Sequence, residues 1–268
     1  MSDLIVLKNP KSTMAESYRS IRTNIQFANV DKEIKTILVT SAIAEEGKTT
    51  TLANLAVTMV QNNQKVLVVD CDMRKPRVHK TFEGLSNRKG LSNLLVDNDD
   101  YKQYIQQVNL SELTKKYDES AIKGRFKSNK KNQTATNLTE SKDLIKHSEY
   151  VLDIITAGTI PDNPSELLNS KAMKQLIEQL KLQYDYILLD TSPVIPVTDA
   201  VVISNYIDGV ILVVTAGLAS VEVLKRAKDS LLMVDANLLG VVLNKVSIKS
   251  RKAYKSYYYY QAKKNEEE

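Results

Sequence analysis

One stretch of this 268-residue chain, residues 36–72, constrains its fold more than any other. Thr36–Thr40 is a β-branched apolar run, which predicts a buried strand. Apolar residues recur at helical spacing after Lys48-Thr49, so a helix is predicted to begin there. Lys65–Val69 is apolar after its first residue, which is typical of a parallel strand covered on both faces. The stretch therefore predicts a strand, a loop, a helix and a second strand.

The loop of this stretch contains Glu46-Gly47-Lys48-Thr49, the last part of a P-loop sequence. Backbone N–H groups at a helix N-terminus form an anion site, because they have no partner and the helix dipole favours negative charge. The residues assigned to the nucleotide are Glu46, Gly47, Lys48, Thr49 and Thr50. Lys48 would reach the β- and γ-phosphates, and the Thr49 hydroxyl would bind Mg²⁺. The full pattern has glycine where this chain has Ala42, so an ordinary glycine-containing turn is the competing interpretation.

Carboxylates at strand ends favour the nucleotide site over a plain turn. Asp70 and Asp72 follow the second strand, and Asp190 ends a further apolar run, Tyr186–Leu189. Right-handed strand–helix–strand connections bring strand ends to one edge of a sheet, so these carboxylates are expected beside the phosphates. We assign Mg²⁺ to Asp70 and Asp190, directly or through water, and the general base to Asp72. The roles of Asp70 and Asp72 could be exchanged without contradicting the sequence.

Strand and helix patterns alternate along most of the remaining chain. Further strands are predicted at Val151–Thr156, Val210–Thr215 and Leu239–Leu243. One helix is predicted to begin at Asn163-Pro164 and to run past Leu180, and another covers about residues 221–234. This alternation predicts an α/β fold of the P-loop NTPase type, with a mostly parallel sheet and helices on both faces.

The predicted domain organisation is one P-loop domain over residues 1–250 and a tyrosine-rich tail over residues 251–268. A polar, Lys-rich segment at about residues 97–150 is predicted to be a flexible insertion, with short helices at Tyr101–Val108 and Leu110–Tyr117. No run approaches the roughly 18–20 apolar residues of a membrane span, so we expect a cytoplasmic protein. The net charge of +5 permits contact with nucleic acid or anionic membranes and argues for neither.

Two further patterns lie outside this core. Glu16, Arg19 and Arg22 recur every three residues on a predicted helix over Ser12–Ala28, either as a solvated face or as a subunit contact. The tail contains five tyrosines without the spacing of a buried strand or helix, which suggests phosphoacceptors, an anionic-surface binder or a sticky tail. These tyrosines are Tyr254, Tyr257, Tyr258, Tyr259 and Tyr260.

Together, and in this order, the motifs resemble those of the bacterial tyrosine kinase (BY-kinase) family. The resemblance runs from about Pro10 to the C-terminus, apart from the Lys-rich segment. It rests on the tyrosine-rich tail and on three motifs, which are Glu16-x-x-Arg19-x-x-Arg22, Asp70-x-Asp72-x-Arg74 and Asp190-x-x-Pro193. It is strongest to the stand-alone cytoplasmic kinases that control capsule and exopolysaccharide synthesis in Gram-positive bacteria.

The resemblance implies an ATP- and Mg²⁺-dependent tyrosine kinase that phosphorylates the tail of a neighbouring subunit in trans. It implies a ring of subunits held by Glu16, Arg19 and Arg22, and it brings Asn244 near the adenine. We add Arg74, which follows the second strand, as a phosphate or interface contact. The implied partners are a transmembrane activator that recruits the chain to the inner face of the membrane and a cognate tyrosine phosphatase. No nucleic-acid partner is expected.

The main alternative is a P-loop ATPase switch of the kind that positions division sites or partitions plasmids. Such proteins carry a second lysine five residues before the P-loop lysine, where this chain has Ile43. This difference, Asp72 and the tyrosine tail favour the kinase. A nucleotide-bound scaffold with little turnover is a third interpretation, which ATPase rates would test.

Overall fold

In the computed structural model, which describes residues 4–28, 33–117 and 150–246, seven strands form one sheet in the order β3-β4-β2-β5-β1-β6-β7. The strands are β1 (Thr36–Ser41), β2 (Val66–Asp70), β3 (Gln106–Asn109), β4 (Val151–Ile155), β5 (Tyr186–Asp190), β6 (Gly209–Thr215) and β7 (Leu238–Asn244). All neighbouring strands are parallel except β3, which is antiparallel to β4.

Helices cover both faces of this sheet, as predicted. They are α1 (Ile5–Lys8), α2 (Thr13–Ala28), α3 (Lys48–Val60), α4 (Val78–Thr81), α5 (Leu91–Asp97), α6 (residues 110–117), α7 (Pro164–Leu168), α8 (Lys171–Lys181), α9 (Asp199–Ser204) and α10 (Val221–Leu232). One hydrophobic core joins the sheet to α1–α4 and α6, and a second joins it to α5 and α7–α10. Every residue of β1, β2, β5 and β6 is buried, which explains their continuous apolar sequences.

The beginning of the predicted insertion belongs to the fold. The helix predicted at Tyr101–Val108 is wrong: Tyr101–Tyr104 is a 3₁₀ helix, and β3 follows it. Val108 packs into the first core, and Gln107 donates a hydrogen bond to Asp153 of β4, so tertiary pairing decides this conformation. The helix predicted at Leu110–Tyr117 is confirmed as α6. Residues 118–149, the rest of the predicted insertion, lie outside the described residues, as does the tail.

The helix predicted from Asn163 to beyond Leu180 is two helices. The chain breaks between α7 and α8, where the Ser170 hydroxyl accepts a hydrogen bond from the Met173 N–H at 3.1 Å and caps α8. Asn163 is the N-cap residue of α7, as predicted, but its side chain makes no capping hydrogen bond. The apolar spacing alone could not reveal the break, because both helices pack on the same core.

The strand order determines where the predicted carboxylates meet. β5 lies between β1 and β2, and Asp70 and Asp190 are directly paired in the β2–β5 register. Because these strands are parallel, the P-loop after β1 opens at the same sheet edge. Among the helices of the described residues, none combines the length and the hydrophobicity needed to traverse a bilayer.

Candidate active site

The P-loop connects β1 to α3 and turns sharply at its end. Gly47 precedes α3 with a φ of +91°, and a Cβ atom there would lie 2.1 Å from the Asn244 amide nitrogen. Both the backbone conformation and the close approach therefore require glycine. Glu45 also has a positive φ, of 66°, whereas Ala42 does not. Alanine at the first glycine position of the pattern is thus compatible with this loop, which removes the objection raised by the sequence.

The Glu46 side chain braces the P-loop from within. It is fully buried, and its Oε2 accepts hydrogen bonds from the N–H groups of Ala42 and Ile43 at 2.9 and 3.1 Å. Its Oε1 accepts a hydrogen bond from the Thr215 N–H at 3.1 Å, which ties the loop to β6. This corrects the sequence-based assignment of Glu46, because its carboxylate binds the loop's own backbone and not a ligand in the cavity.

The end of β7 holds the same loop from the other side. Asn244 donates a side-chain hydrogen bond to the Glu46 carbonyl at 2.9 Å, and the Lys245 ammonium donates one to the Glu45 carbonyl at 2.9 Å. Asn244 also lines the cavity in front of the P-loop, together with Thr50. The predicted contact of Asn244 with adenine stays a prediction.

Lys48, Thr49 and Asp72 line this cavity, and the fully buried Asp190 lies next to Lys48 and Thr49. The Lys48 ammonium lies 2.7 Å from Asp72 Oδ2 and 3.8 Å from Asp190 Oδ1, and the Thr49 hydroxyl donates a hydrogen bond to Asp190 Oδ2 at 2.6 Å. Burial would lower the pKa of Lys48, but the charges of Asp190 and Asp72 outweigh it and raise the pKa above its ordinary value. Lys48 is therefore a permanent cation here.

Asp70 is turned away from the cavity. It is fully buried, and its two oxygens accept hydrogen bonds from the N–H groups of Asp72 and Val78, at 3.2 and 3.1 Å. Burial and the neighbouring charge of Asp190 raise the pKa of Asp70 well above its ordinary value. In this structure both oxygens of Asp70 bind the chain after β2, and Asp72 lines the cavity. This argues against direct binding of Mg²⁺ by Asp70, and its predicted contact through water stays a prediction.

A magnesium ion fits the donors at Thr49 and Asp190. Asp190 Oδ1 is buried and accepts no hydrogen bond within the described residues, although Lys48 lies near it. Burial raises the pKa of Asp190, and Lys48 opposes that effect. The described residues contain no group of three or more His, Cys, Asp or Glu that could hold a metal. Magnesium at nucleotide sites normally takes one or two protein ligands, with phosphate and water oxygens as the rest, so this sparse donor set suits it.

The cavity in front of these groups has a volume of about 580 Å³. Its far wall is formed by the N-terminal helices, through Lys8, Met14 and Tyr18, and its rim carries Lys75 and Arg77. Sequence reasoning assigned none of the three N-terminal residues to the site, because nothing local indicates that α1 and α2 fold back over the P-loop. The cavity is large enough for a nucleotide, and an ammonium group and a carboxylate, those of Lys48 and Asp72, lie side by side in its wall.

Comparisons with known proteins agree with this geometry. Residues 34–237 match the family described as AAA domain. The chain is 36% identical to tyrosine-protein kinase YwqD of Bacillus subtilis (strain 168), over 98% of this chain and 93% of that one. It is 35% identical to the putative tyrosine-protein kinase CapB of Staphylococcus aureus, over 97% of this chain and 96% of that one. The crystal structure of the chimeric protein CapA2B2 matches with a TM-score of 0.71 and 36% identity, over 91% of this chain and 89% of that chain.

The chain belongs to the bacterial tyrosine kinase family. This confirms the resemblance carried by the sequence motifs, and it favours the kinase over the partition-type ATPase switch.

In this kinase Arg74 is held by a buried carboxylate that the sequence did not single out. Asp199, fully buried at the start of α9, accepts hydrogen bonds from Arg74 Nε at 2.8 Å and from a terminal Arg74 nitrogen at 3.1 Å. The hydroxyls of Ser165 and Ser192 also contact Asp199. Burial would raise the pKa of Asp199, but Arg74 and the hydroxyls lower it below its ordinary value. Arg74 does not line the cavity, which corrects its assignment as a phosphate contact, and its alternative role at an interface stays a prediction.

The same network reaches the kinase's proposed base. The Ser192 hydroxyl lies 2.9 Å from Asp72 Oδ1 and 3.1 Å from Asp199 Oδ2. The Lys75 N–H also donates a hydrogen bond to Asp72 Oδ1, at 3.0 Å. Hydrogen bonds from several parts of the chain therefore fix Asp72 on the cavity wall. The sequence could not reveal the part played by Asp199, because no local pattern connects it with Asp72.

Two side chains of the predicted subunit contact on α2, Arg19 and Arg22, make contacts within their own chain. Arg19 pairs with Glu16 at 2.8 Å and donates a hydrogen bond to the Pro10 carbonyl. Arg22 donates a hydrogen bond to the Thr58 carbonyl at 3.0 Å, which joins α2 to α3. The interface role of these residues stays a prediction. The predicted phosphoacceptors, in residues 254–260, lie outside the described residues.

Proposed function

We propose that this kinase transfers the γ-phosphoryl group of ATP to tyrosines in the C-terminal tail of a second copy of itself. The observation that supports this most is that Lys48, Thr49 and Asp72 line one cavity at the end of the P-loop, with Asp190 in contact with Lys48 and Thr49. A cation, a metal-binding hydroxyl and a carboxylate on the cavity wall are the groups that phosphoryl transfer to a hydroxyl requires.

In the proposed reaction the tyrosine oxygen forms a bond to the γ-phosphorus while the bond to the β,γ-bridging oxygen breaks and ADP leaves. The phenol proton passes to Asp72. A phenol has a pKa of about 10, so a carboxylate assists only as bond formation makes the oxygen acidic. The P-loop N–H groups and Lys48 hold the phosphates. Thr49 and Asp190 would hold Mg²⁺, whose positive charge would offset the negative charge of the transferring phosphoryl group.

Lys48 changes partner in this scheme. Its contact with Asp72 Oδ2 occupies the oxygen that would accept the proton. Phosphate oxygens drawn to the P-loop give Lys48 an alternative partner and release Asp72. We assign the base to Asp72 and not Asp70, because only Asp72 lines the cavity, whereas both oxygens of Asp70 bind backbone N–H groups.

The wider role rests on the family resemblance. We infer regulation of capsular or extracellular polysaccharide synthesis, with ring assembly through Glu16, Arg19 and Arg22 of α2. We further infer recruitment to the inner face of the membrane by a transmembrane activator, and reversal of the modification by a cognate tyrosine phosphatase.

Phosphotyrosine mass spectrometry tests the reaction. Purified protein is incubated with Mg-ATP, with and without the cytoplasmic tail of the candidate activator, beside Lys48→Met and a form with the five tail tyrosines changed to Phe. Phosphate on residues 254–260 that is absent from Lys48→Met supports the proposal. ATP hydrolysis without phosphotyrosine under every condition contradicts it and favours the ATPase switch.

A further inference from the structure

A second cavity, of about 440 Å³, lies beside the nucleotide cavity and shares Lys75 and Arg77 with it. Its other walls come from the segment after Arg77, from the loop before α5 and from the loop after β4, through His79, Lys80, Asn87 and Ile160. Residues 75–77 therefore form a ridge between the two cavities. We call the second cavity the basic groove.

The basic groove has an excess of positive charge. Lys75, Arg77 and Lys80 are exposed, and none of them makes an ion pair within the described residues. None of the described residues that line the groove is acidic. His79 Nδ1 is buried and lacks a hydrogen-bond partner in the described chain. The groove can therefore offer positive charge to an anion without first breaking an internal ion pair.

The groove also has an apolar wall that is held rigidly. Ile160 is 67% exposed and lines the groove with Pro76. The loop that carries Ile160 is fixed by Asn87, whose side chain donates a hydrogen bond to the Gly158 carbonyl at 2.9 Å and accepts one from the Gly158 N–H at 3.1 Å. A preformed wall lowers the conformational entropy that the protein must give up when a ligand binds.

Positive charge beside an exposed apolar wall suits a ligand with an aromatic ring and a phosphate. A phosphotyrosine carries about −1.5 to −2 charges and three strong acceptor oxygens, which Lys and Arg recognise well. The tail contains Tyr257–Tyr260 in succession. Tyrosines one to three residues apart in an extended chain are separated by about 3–11 Å, so one can leave the nucleotide cavity while its neighbour enters.

We propose that the basic groove binds a phosphotyrosine in the tail of a second copy of this chain while an adjacent, unmodified tyrosine reaches Asp72 in the nucleotide cavity, which also holds ATP. This inference rests on the proposed function. The first transfer then creates a ligand that retains the tail, so successive tyrosines are modified in one encounter. The groove accordingly favours multiply phosphorylated tails over an even spread of singly phosphorylated ones.

Binding of tail peptides tests the groove without catalysis. Full-length Lys48→Met protein is titrated with a fluorescent peptide of residues 251–268, either unmodified or with phosphate on Tyr258. We expect the phosphopeptide to bind at least tenfold more tightly, and Lys80→Glu with Ile160→Asp to remove that difference. Equal affinities for the two peptides overturn the proposal.

A third peptide identifies the source of the negative charge, since the tail also ends in Glu266–Glu268. If changing these glutamates to Gln abolishes binding with or without phosphate, the groove takes carboxylates and the phosphotyrosine assignment is wrong. Retained preference for the phosphopeptide supports it. Lys102→Glu, which makes the same charge change at an exposed lysine outside both cavities, is the matched control.

Intact-mass spectrometry over time tests the consequence for catalysis. The ratio of multiply to singly phosphorylated tails is expected to fall about tenfold in Lys80→Glu and to stay unchanged in Lys102→Glu. An unchanged ratio in Lys80→Glu contradicts the proposal. A wild-type chain that forms no phosphotyrosine refutes the proposed function instead, and the peptide titration still reports on the groove.

Discussion

Lys48 and Asp72 form a 2.7 Å ion pair at the base of the nucleotide cavity, with their side chains only 11% and 5% exposed. The pair blocks the oxygen of Asp72 that faces the P-loop. It also holds the Lys48 ammonium away from free solvent before phosphate arrives. In the proposed mechanism, exchange of Lys48 from carboxylate to phosphate would couple nucleotide binding to release of Asp72.

Asp72→Asn is expected to lower the rate of tyrosine phosphorylation by about 10²–10⁴-fold, because the amide cannot accept the phenol proton. Initial rates of phosphotyrosine formation at several ATP concentrations measure the effect. Asp70→Asn, the same change two residues away, is the comparison that separates the base from its neighbour. A loss in Asp70→Asn that exceeds the loss in Asp72→Asn would show that the two roles are exchanged.

Gly47→Ala is expected to abolish ATP binding. The new Cβ would lie 2.1 Å from the Asn244 amide nitrogen, at a residue with a φ of +91°. Isothermal titration with a non-hydrolysable ATP analogue measures the loss. Gly217→Ala is the matched control, since its φ is +76° but its added Cβ meets nothing within 4 Å. Both variants carry a backbone strain of about 1–3 kcal/mol, and the clash is confined to residue 47. Weak ATP binding in both would attribute the effect to strain alone.

Arg74→Ala is expected to lower the free energy of unfolding by about 2–4 kcal/mol, because it leaves the fully buried Asp199 carboxylate without its counter-ion. Urea denaturation at neutral pH measures this as a lower midpoint with an unchanged slope. Arg74→Lys is expected to recover only part of the loss, since an ammonium cannot make both of the hydrogen bonds made by the guanidinium. Full recovery by lysine would show that charge alone matters.

Asp208 is expected to stabilise the fold at neutral pH and to lose that effect in acid. Burial would raise its pKa, but hydrogen bonds from Lys181, Thr36 and Lys35 lower it below the ordinary 3.8. A carboxyl group with a lower pKa in the folded state stabilises it above pH 3.8, and the contribution disappears as the pH falls through the folded pKa.

Asp208→Asn should therefore cost about 2 kcal/mol near pH 7 and much less near pH 3. Unfolding by urea at both pH values measures the difference. Asp229→Asn removes an exposed carboxylate and should change stability little at either pH. An equal loss at both pH values in Asp208→Asn would contradict the linkage.

The sequence predicted those parts of the molecule whose signal is local. Strands β1, β2 and β5, the start of α3 at Lys48 and the strand-end carboxylates were all readable, because continuous apolar runs, helical spacing and the P-loop pattern lie within a few residues of one another. The helix predicted at Tyr101–Val108 was wrong, because a four-residue edge strand has too few residues for a pattern and is decided by its pairing with β4.

Only the tertiary structure decided which groups face the cavity. Glu46 looked like a ligand contact, but its partner Thr215 lies 169 residues away and turns it inward. From the sequence Arg74 was expected to contact phosphate, but in the structure it binds Asp199, which lies 125 residues further along the chain. Asp70 and Asp72 are indistinguishable by type, and the turn after β2 assigns one to backbone N–H groups and the other to the cavity wall. The sequence by itself determined the fold class and the chemistry available at the site, whereas side-chain direction depended on partners far apart in the chain, which only the folded sheet brings together.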